Sequence, residues 1–147
     1  MSRYFRINRF LAALMLLGVF ALAAPRAVAG EVAFRVDGTF TVAEKAGPNS
    51  NWVDLEGKAT PGGPFVGRFV AHGKGQSIYG TFTLQFGGGT LTFDYLVTFD
   101  HDTGIYEGDF VITGGTGAFE GASGQGEVCY PLDAITQPFM MDGVLIR

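Results

Sequence analysis

The chain has 147 residues, 47% hydrophobic and 14% aromatic, with 14 acidic side chains against 10 basic ones. That balance leaves no electrostatic footprint for nucleic acid or for an anionic lipid surface, and it assigns the acidity to solubility. Two histidines and one cysteine exclude a histidine-rich zinc site and an intrachain disulfide.

The first 29 residues read as a secretion leader. Arg3, Arg6 and Arg9 form a basic start, and Phe10 to Ala24 is an uncharged apolar run too short for a comfortable membrane span. Ala27-Val28-Ala29 is a small-x-small cleavage site. No cysteine follows the run, so no lipid anchor is expected, and the arginines are not adjacent as a twin-arginine signal requires. Cleavage leaves residues 30–147 with six cations and all 14 acids, a net charge of −8. That part is expected to be exported, periplasmic or extracellular, with no stable membrane insertion. Its size is that of one domain with one core.

From Val32 onward the dominant signal is period two, the mark of half-buried strands. Val32, Phe34, Val36, Phe40 and Val42 alternate with polar residues as a first strand. Residues 46–51 (AGPNSN) read as a loop. Val53, Leu55 and Ala59 share the face of a second strand, which Thr60-Pro61-Gly62-Gly63-Pro64 ends. Phe65, Phe69 and Ala71 mark the third strand, with His72 on its polar, solvated face. Gly73-Lys74-Gly75 turns the chain into Ile78, Phe82, Leu84 and Phe86, and Gly87-Gly88-Gly89 turns it again. The fifth strand alternates most cleanly, with Leu91, Phe93, Tyr95, Val97 and Phe99 inward. Asp100-His101-Asp102-Thr103-Gly104 resembles a calcium loop only at a glance. It lacks the later oxygen ligands, and Asp and Gly are what a hairpin turn needs, so no metal is expected there. Tyr106, Phe110 and Ile112 alternate next, and Val128 and Tyr130 follow a glycine-rich segment. Residues 131–138 read as a loop, and Phe139, Met141 and Leu145 close the chain.

About eight hairpin-linked strands with one apolar face predict an all-β fold, a single antiparallel β-barrel. Gly38, Gly57, Gly67, Gly80, Gly108, Gly126 and Gly143 each fall mid-strand on the apolar face. Glycine weakens a strand by roughly 0.5–1 kcal/mol relative to alanine, so seven of them need a reason. Two are open: sharp bending that closes a barrel, or space left for a ligand.

The glycine-rich segment, residues 111–128, carries the fold signature Gly114, Gly115, Thr116, Gly117, Phe119, Gly121 and Gly124. Its density of glycine implies repeated turns, with Phe119 plugging one end of the core. Residues 112–124 (ITGGTGAFEGASG) resemble the GGTG-x-F-x-x-A-x-G segment of the allene oxide cyclase and dirigent barrel superfamily, whose secreted bacterial relatives commonly read TGGTGRFAGATG. Ala118 stands where those usually carry arginine. The signature covers 13 residues, and the strand pattern extends the likeness over Glu31 to Arg147. It speaks to fold rather than activity. The resemblance implies either a cofactor-free cyclase or a stereo-directing protein that steers phenoxy radicals. It also implies assembly, often a trimer, through the barrel exterior. The family's catalytic residues lie outside the matched segment, and none is carried over.

The residues themselves leave two readings of the barrel interior, a filled core or a binding site. Phe82, Phe93, Tyr95, Tyr106, Phe110 and Tyr130 fall on the inward face, where three phenols among aromatics describe a small apolar site with polar handles. The alternative is that these rings simply fill the core. Asp94, Glu107 and Asp109 fall outward as solubility charges. Ser50, Ser77 and Ser123 lack a nucleophile's context, and the glycine segment is no phosphate loop, so no cofactor is expected. Cys129 is expected to be buried, as free cysteines usually are. Outward apolar side chains at Val66, Val70, Met140, Val144 and Ile146 offer a surface for a homo-oligomer, dimer or trimer, the third reading beside a binding barrel and a cyclase.

Overall fold

A computed structural model describes residues 30–131 and 135–147, and the leader lies outside the described residues. Eight strands follow one another: β1 (Glu31–Gly47), β2 (Ser50–Thr60), β3 (Gly63–Lys74), β4 (Ser77–Phe86), β5 (Gly89–Asp100), β6 (Ile105–Gly117), β7 (Ser123–Pro131) and β8 (Thr136–Ile146). Each pairs antiparallel with its neighbours in sequence, and β1 pairs with β8, so the sheet closes into an all-β barrel without an edge. No helix occurs among the described residues. The predicted fold class is therefore the observed one.

Alternation decides what lies inside. On β5, Leu91, Phe93, Tyr95 and Val97 are buried, while Asp94, Leu96 and Thr98 face solvent. Asp94, Glu107 and Asp109 are exposed on the outer wall, as parity predicts. The packed layer of the lumen is aromatic. Phe34 stacks on Phe93 at 5.8 Å, Phe110 meets both rings edge-on, and Phe82 stacks on Phe93 at 4.8 Å. At the end carrying the β2–β3, β4–β5 and β6–β7 connections, Phe65 and Phe119 each pack against Phe86. Phe119, only 3% exposed, plugs that end as the sequence suggests.

The mid-strand glycines serve closure. Gly38 pairs with Gly57, and Gly126 pairs with Gly143. A Cβ on Gly126 would collide with the carbonyl oxygen of Asp142, and one on Gly108 with that of Leu96. Bare backbone at these points lets adjacent strands coil tightly enough to close the barrel.

Three expectations need correction. Residues 46–51 are not a loop: β1 runs to Gly47 and turns through Pro48-Asn49 directly into β2, with Lys45 still paired to Asn51. Ala43 makes this possible, because a bulge between Val42 and Glu44 restores the pairing beyond it. Residues 136–138, read as loop, open β8. Pro138 lies past the last pair of the β7–β8 ladder, Cys129 with Met140, so its missing N–H breaks no bond of that ladder. Finally, Gly114 to Gly117 are not turns but the end of β6, paired to β5 past a bulge at Thr113. Only Gly117, Gly121 and Gly124 of the signature have positive φ.

Candidate functional site: a half-filled barrel lumen

The end of the barrel opposite Phe119 is not filled by the described residues. Between the packed Phe34–Phe93–Phe110 layer and the end carrying the β1–β2, β3–β4 and β5–β6 turns lies a cavity of about 150 Å³. Its floor and walls are hydrocarbon and phenyl: Val53, Leu55, Phe69, Phe82, Phe139 and Met141 among others. Phe69 and Tyr95 stand edge-on at 5.8 Å, and Tyr95 meets Phe82 at 5.6 Å. Toward the opening, Tyr106 and Tyr130 stack at 5.2 Å, Phe40 meets Tyr130 edge-on at 4.9 Å, and Phe99 leans on Tyr106. Interlocked rings of this kind hold a fixed shape, because moving one strains its neighbours.

The polar atoms are few and neutral. Tyr95, Tyr106 and Tyr130 bring phenols, and Asn51 and Gln137 bring amides. Among the described residues, none that lines the cavity is charged. Burial pushes the Tyr95 phenol well above the ordinary phenol range. Tyr130 is pushed up as well, by burial first and then by the neighbouring Tyr95 and Tyr106. Both therefore remain protonated and able to donate a hydrogen bond at any physiological pH.

Of the six residues predicted to line a ligand site, four line this cavity: Phe82, Tyr95, Tyr106 and Tyr130. Phe93 and Phe110 belong to the packed layer beneath and do not reach the cavity. Parity places all six inside but says nothing of height along the barrel, and height separates the two groups. Asn51 and Gln137 were missed. Each lies in a segment that composition reads as loop, and each turns inward only because that segment is strand. The fold signature, Gly114 to Gly124, lies at the plugged end and contributes nothing to the cavity. None of the seven mid-strand glycines is itself a lining residue, but a Cβ on Gly38 would meet the Phe139 ring and one on Gly80 the Tyr95 ring, so these two also make room for rings that line the cavity.

Other candidates resolve away from the lumen. Asp100 to Gly104 form the β5–β6 turn, where the Asp100 carboxylate accepts the Asp102 N–H at 2.7 Å, the main reason its pKa is lowered. No group of three or more metal-ligating side chains occurs among the described residues. His72 is exposed as predicted, but it is not simply solvated: it hydrogen-bonds Ser50 at 2.8 Å and stacks on Tyr79. Cys129 overturns its expectation. It sits half-buried on the outer wall, one residue out of phase with Val128 and Tyr130. Burial, with Glu107 and Glu127 beside it, raises its thiol pKa.

No protein-family model matches the chain, and no curated protein matches it. Solved structures do. The pterocarpan synthase dirigent protein GePTS1 aligns with a TM-score of 0.52 at 16% identity, over 78% of this chain and 84% of its own. The pterocarpan synthase dirigent protein PsPTS1 aligns with a TM-score of 0.53, also at 16% identity, over 80% and 94%. At that identity the likeness is one of fold: this chain and those two dirigent proteins share a β-barrel architecture. These two structures speak to the dirigent half of the resemblance and not to its cyclase half.

Proposed function

We propose that this protein binds a small, largely apolar molecule in the open half of its barrel. One observation carries the reading: the described side chains pack one end of the lumen and leave a cavity at the other, and every described side chain around that cavity is uncharged. A cavity of about 150 Å³ lined mainly by hydrocarbon is large enough for a benzene-sized guest. The guest is therefore a single ring or a short branched chain, with one or two polar atoms for the phenols and amides near the opening. The leader of the sequence supports an exported setting for this binding.

A second reading has a specific observation in its favour. The solved neighbours are dirigent proteins, and a rigid aromatic wall is what steering a reactive guest requires. On that reading the barrel acts by holding its guest in one orientation. The uncharged lining leaves positioning and hydrogen bonding from Tyr95, Tyr106 and Tyr130 as its means.

Isothermal titration with 3-phenylpropanol tests the binding reading. Saturable one-to-one heat is expected, and it should vanish in Ala71→Phe, whose added ring enters the cavity from its wall. Heat that does not saturate, or that survives Ala71→Phe in a folded protein, would refute it.

A further inference from the structure

The cavity does not end at its uncharged lining. Asn51, Ala71 and Ile78 also form one wall of a shallower depression on the rim, whose other side chains include Lys45 and Lys74. The two sites lie side by side, separated only by those three shared residues.

Lys45 reaches the rim through an irregularity. Phe40 and Val42 point into the lumen, so strict alternation would turn Lys45 outward with Thr41. The bulge at Ala43 adds one residue and inverts the phase. Glu44 pairs with Trp52 and joins Arg68 on the outer wall, while Lys45 pairs with Asn51, itself a lining residue of the cavity. Re-aiming a side chain is a recognised use of bulges. Lys74 arrives on the neighbouring hairpin. The Gly73 N–H donates to the Asn49 carbonyl at 2.7 Å and ties the two hairpins together, fixing the spacing of the lysine-bearing segments.

The cations are otherwise committed or remote. Arg35 pairs with Asp37, and Arg68 with Glu44 and Asp54. Among the described residues, Lys45 and Lys74 are in no ion pair. Across the same end, the Asp100 carboxylate is turned to the Asp102 N–H of its own hairpin. A chain that is acidic overall thus sets two uncommitted ammonium groups beside the opening of an uncharged cavity.

We infer that the guest is a small aryl or short alkyl carboxylate, with its ring or chain in the cavity and its carboxylate at the rim between Lys45 and Lys74. This rests on the proposed binding function and narrows it from apolar molecules in general to amphipathic monoanions.

The test compares 3-phenylpropanoate with 3-phenylpropanol, equal in carbon skeleton and unlike in charge, by isothermal titration. Two exposed ammonium–carboxylate contacts should favour the acid by about two- to tenfold. The preference should shrink between about 0.01 and 0.15 M salt, as the screening length falls from roughly 30 Å to 8 Å. It should disappear in the Lys45→Gln/Lys74→Gln double variant, whose two exposed positions leave the core untouched. Equal or tighter binding of the alcohol, or a preference that survives the double variant, overturns the inference and leaves the cavity reading standing. Binding of neither probe overturns both.

Discussion

At the scale of single residues, the glycines separate backbone clearance from mere flexibility. Gly108 has no room for a methyl group: its Cβ would meet the Leu96 carbonyl oxygen and lie 2.8 Å from the Val97 Cα. Gly114, also on β6, has nothing within 4 Å of that position and no positive φ. Gly108→Ala should therefore destabilise the barrel by about 3 kcal/mol through overpacking, whereas Gly114→Ala should stay within roughly 0.5 kcal/mol of wild type. Urea denaturation of the two variants checks both. The tyrosines make a second prediction. Tyr95 and Tyr130 have folded pKa values raised above that of a free phenol, so above about pH 10 the unfolded chain loses protons that the folded chain keeps. Their contribution to stability is full below that pH and declines as pH rises past it. In an alkaline titration their tyrosinate absorbance should appear together with loss of near-ultraviolet circular dichroism. Ionisation of every tyrosine with tertiary structure intact would contradict it. Cys129 gives a third. Its raised pKa keeps it a thiol at neutral pH, so alkylation should be slower than that of a free cysteine, and Glu107→Gln should speed it by removing a neighbouring negative charge.

At the scale of elements, what was legible in the sequence was alternation and what was not was interruption. The β5 pattern from Leu91 to Phe99 needs no correction, because a strand with one face buried and one wet writes its period into its residues. The bulges at Ala43 and Thr113 left no comparable trace. A bulge is one extra residue between two runs that are each in phase, and composition around Ala46 to Asn51 suggested a loop instead. That single misreading hid both Asn51 and the inward turn of Lys45. Deleting Ala43 should remove the bulge and leave Lys45 in its present phase, because Val42, Glu44 and Lys45 would then alternate inward, outward and inward. The deletion variant, if it melts cooperatively, should keep both its affinity for the alcohol and its preference for 3-phenylpropanoate, and loss of that preference on titration would contradict this placement of Lys45. The GGTG segment was legible as a plug, since Phe119 is its one large apolar group. Phe119→Ala should cost about 3–5 kcal/mol by opening the closed end, measurable as a lowered urea midpoint, without changing affinity for a guest bound at the opposite end.

At the scale of the whole molecule, the barrel divides along its axis. Phe65, Phe86 and Phe119 close one end, Phe34, Phe93 and Phe110 fill the middle, and a ring of tyrosines with two amides surrounds an empty space at the other. This axial division separates Phe93 and Phe110 from Tyr106 and Tyr130, and no one-dimensional period reports it. It emerges only from register, which fixes how far along the axis each inward side chain stands. The outer wall is less organised: Val66, Leu96, Val111 and Met140 are exposed, interspersed with acids. The central claim is that one half of the lumen takes a guest and the other half does not. Methyl-resolved NMR during titration with 3-phenylpropanol tests this most directly. The account predicts saturable shifts at Val53, Leu55, Ile78 and Met141, with Leu84 and Leu91 unmoved. Shifts concentrated at Leu84 and Leu91, or on the outer wall at Val66 and Leu96, or no saturable shift at all, would contradict it.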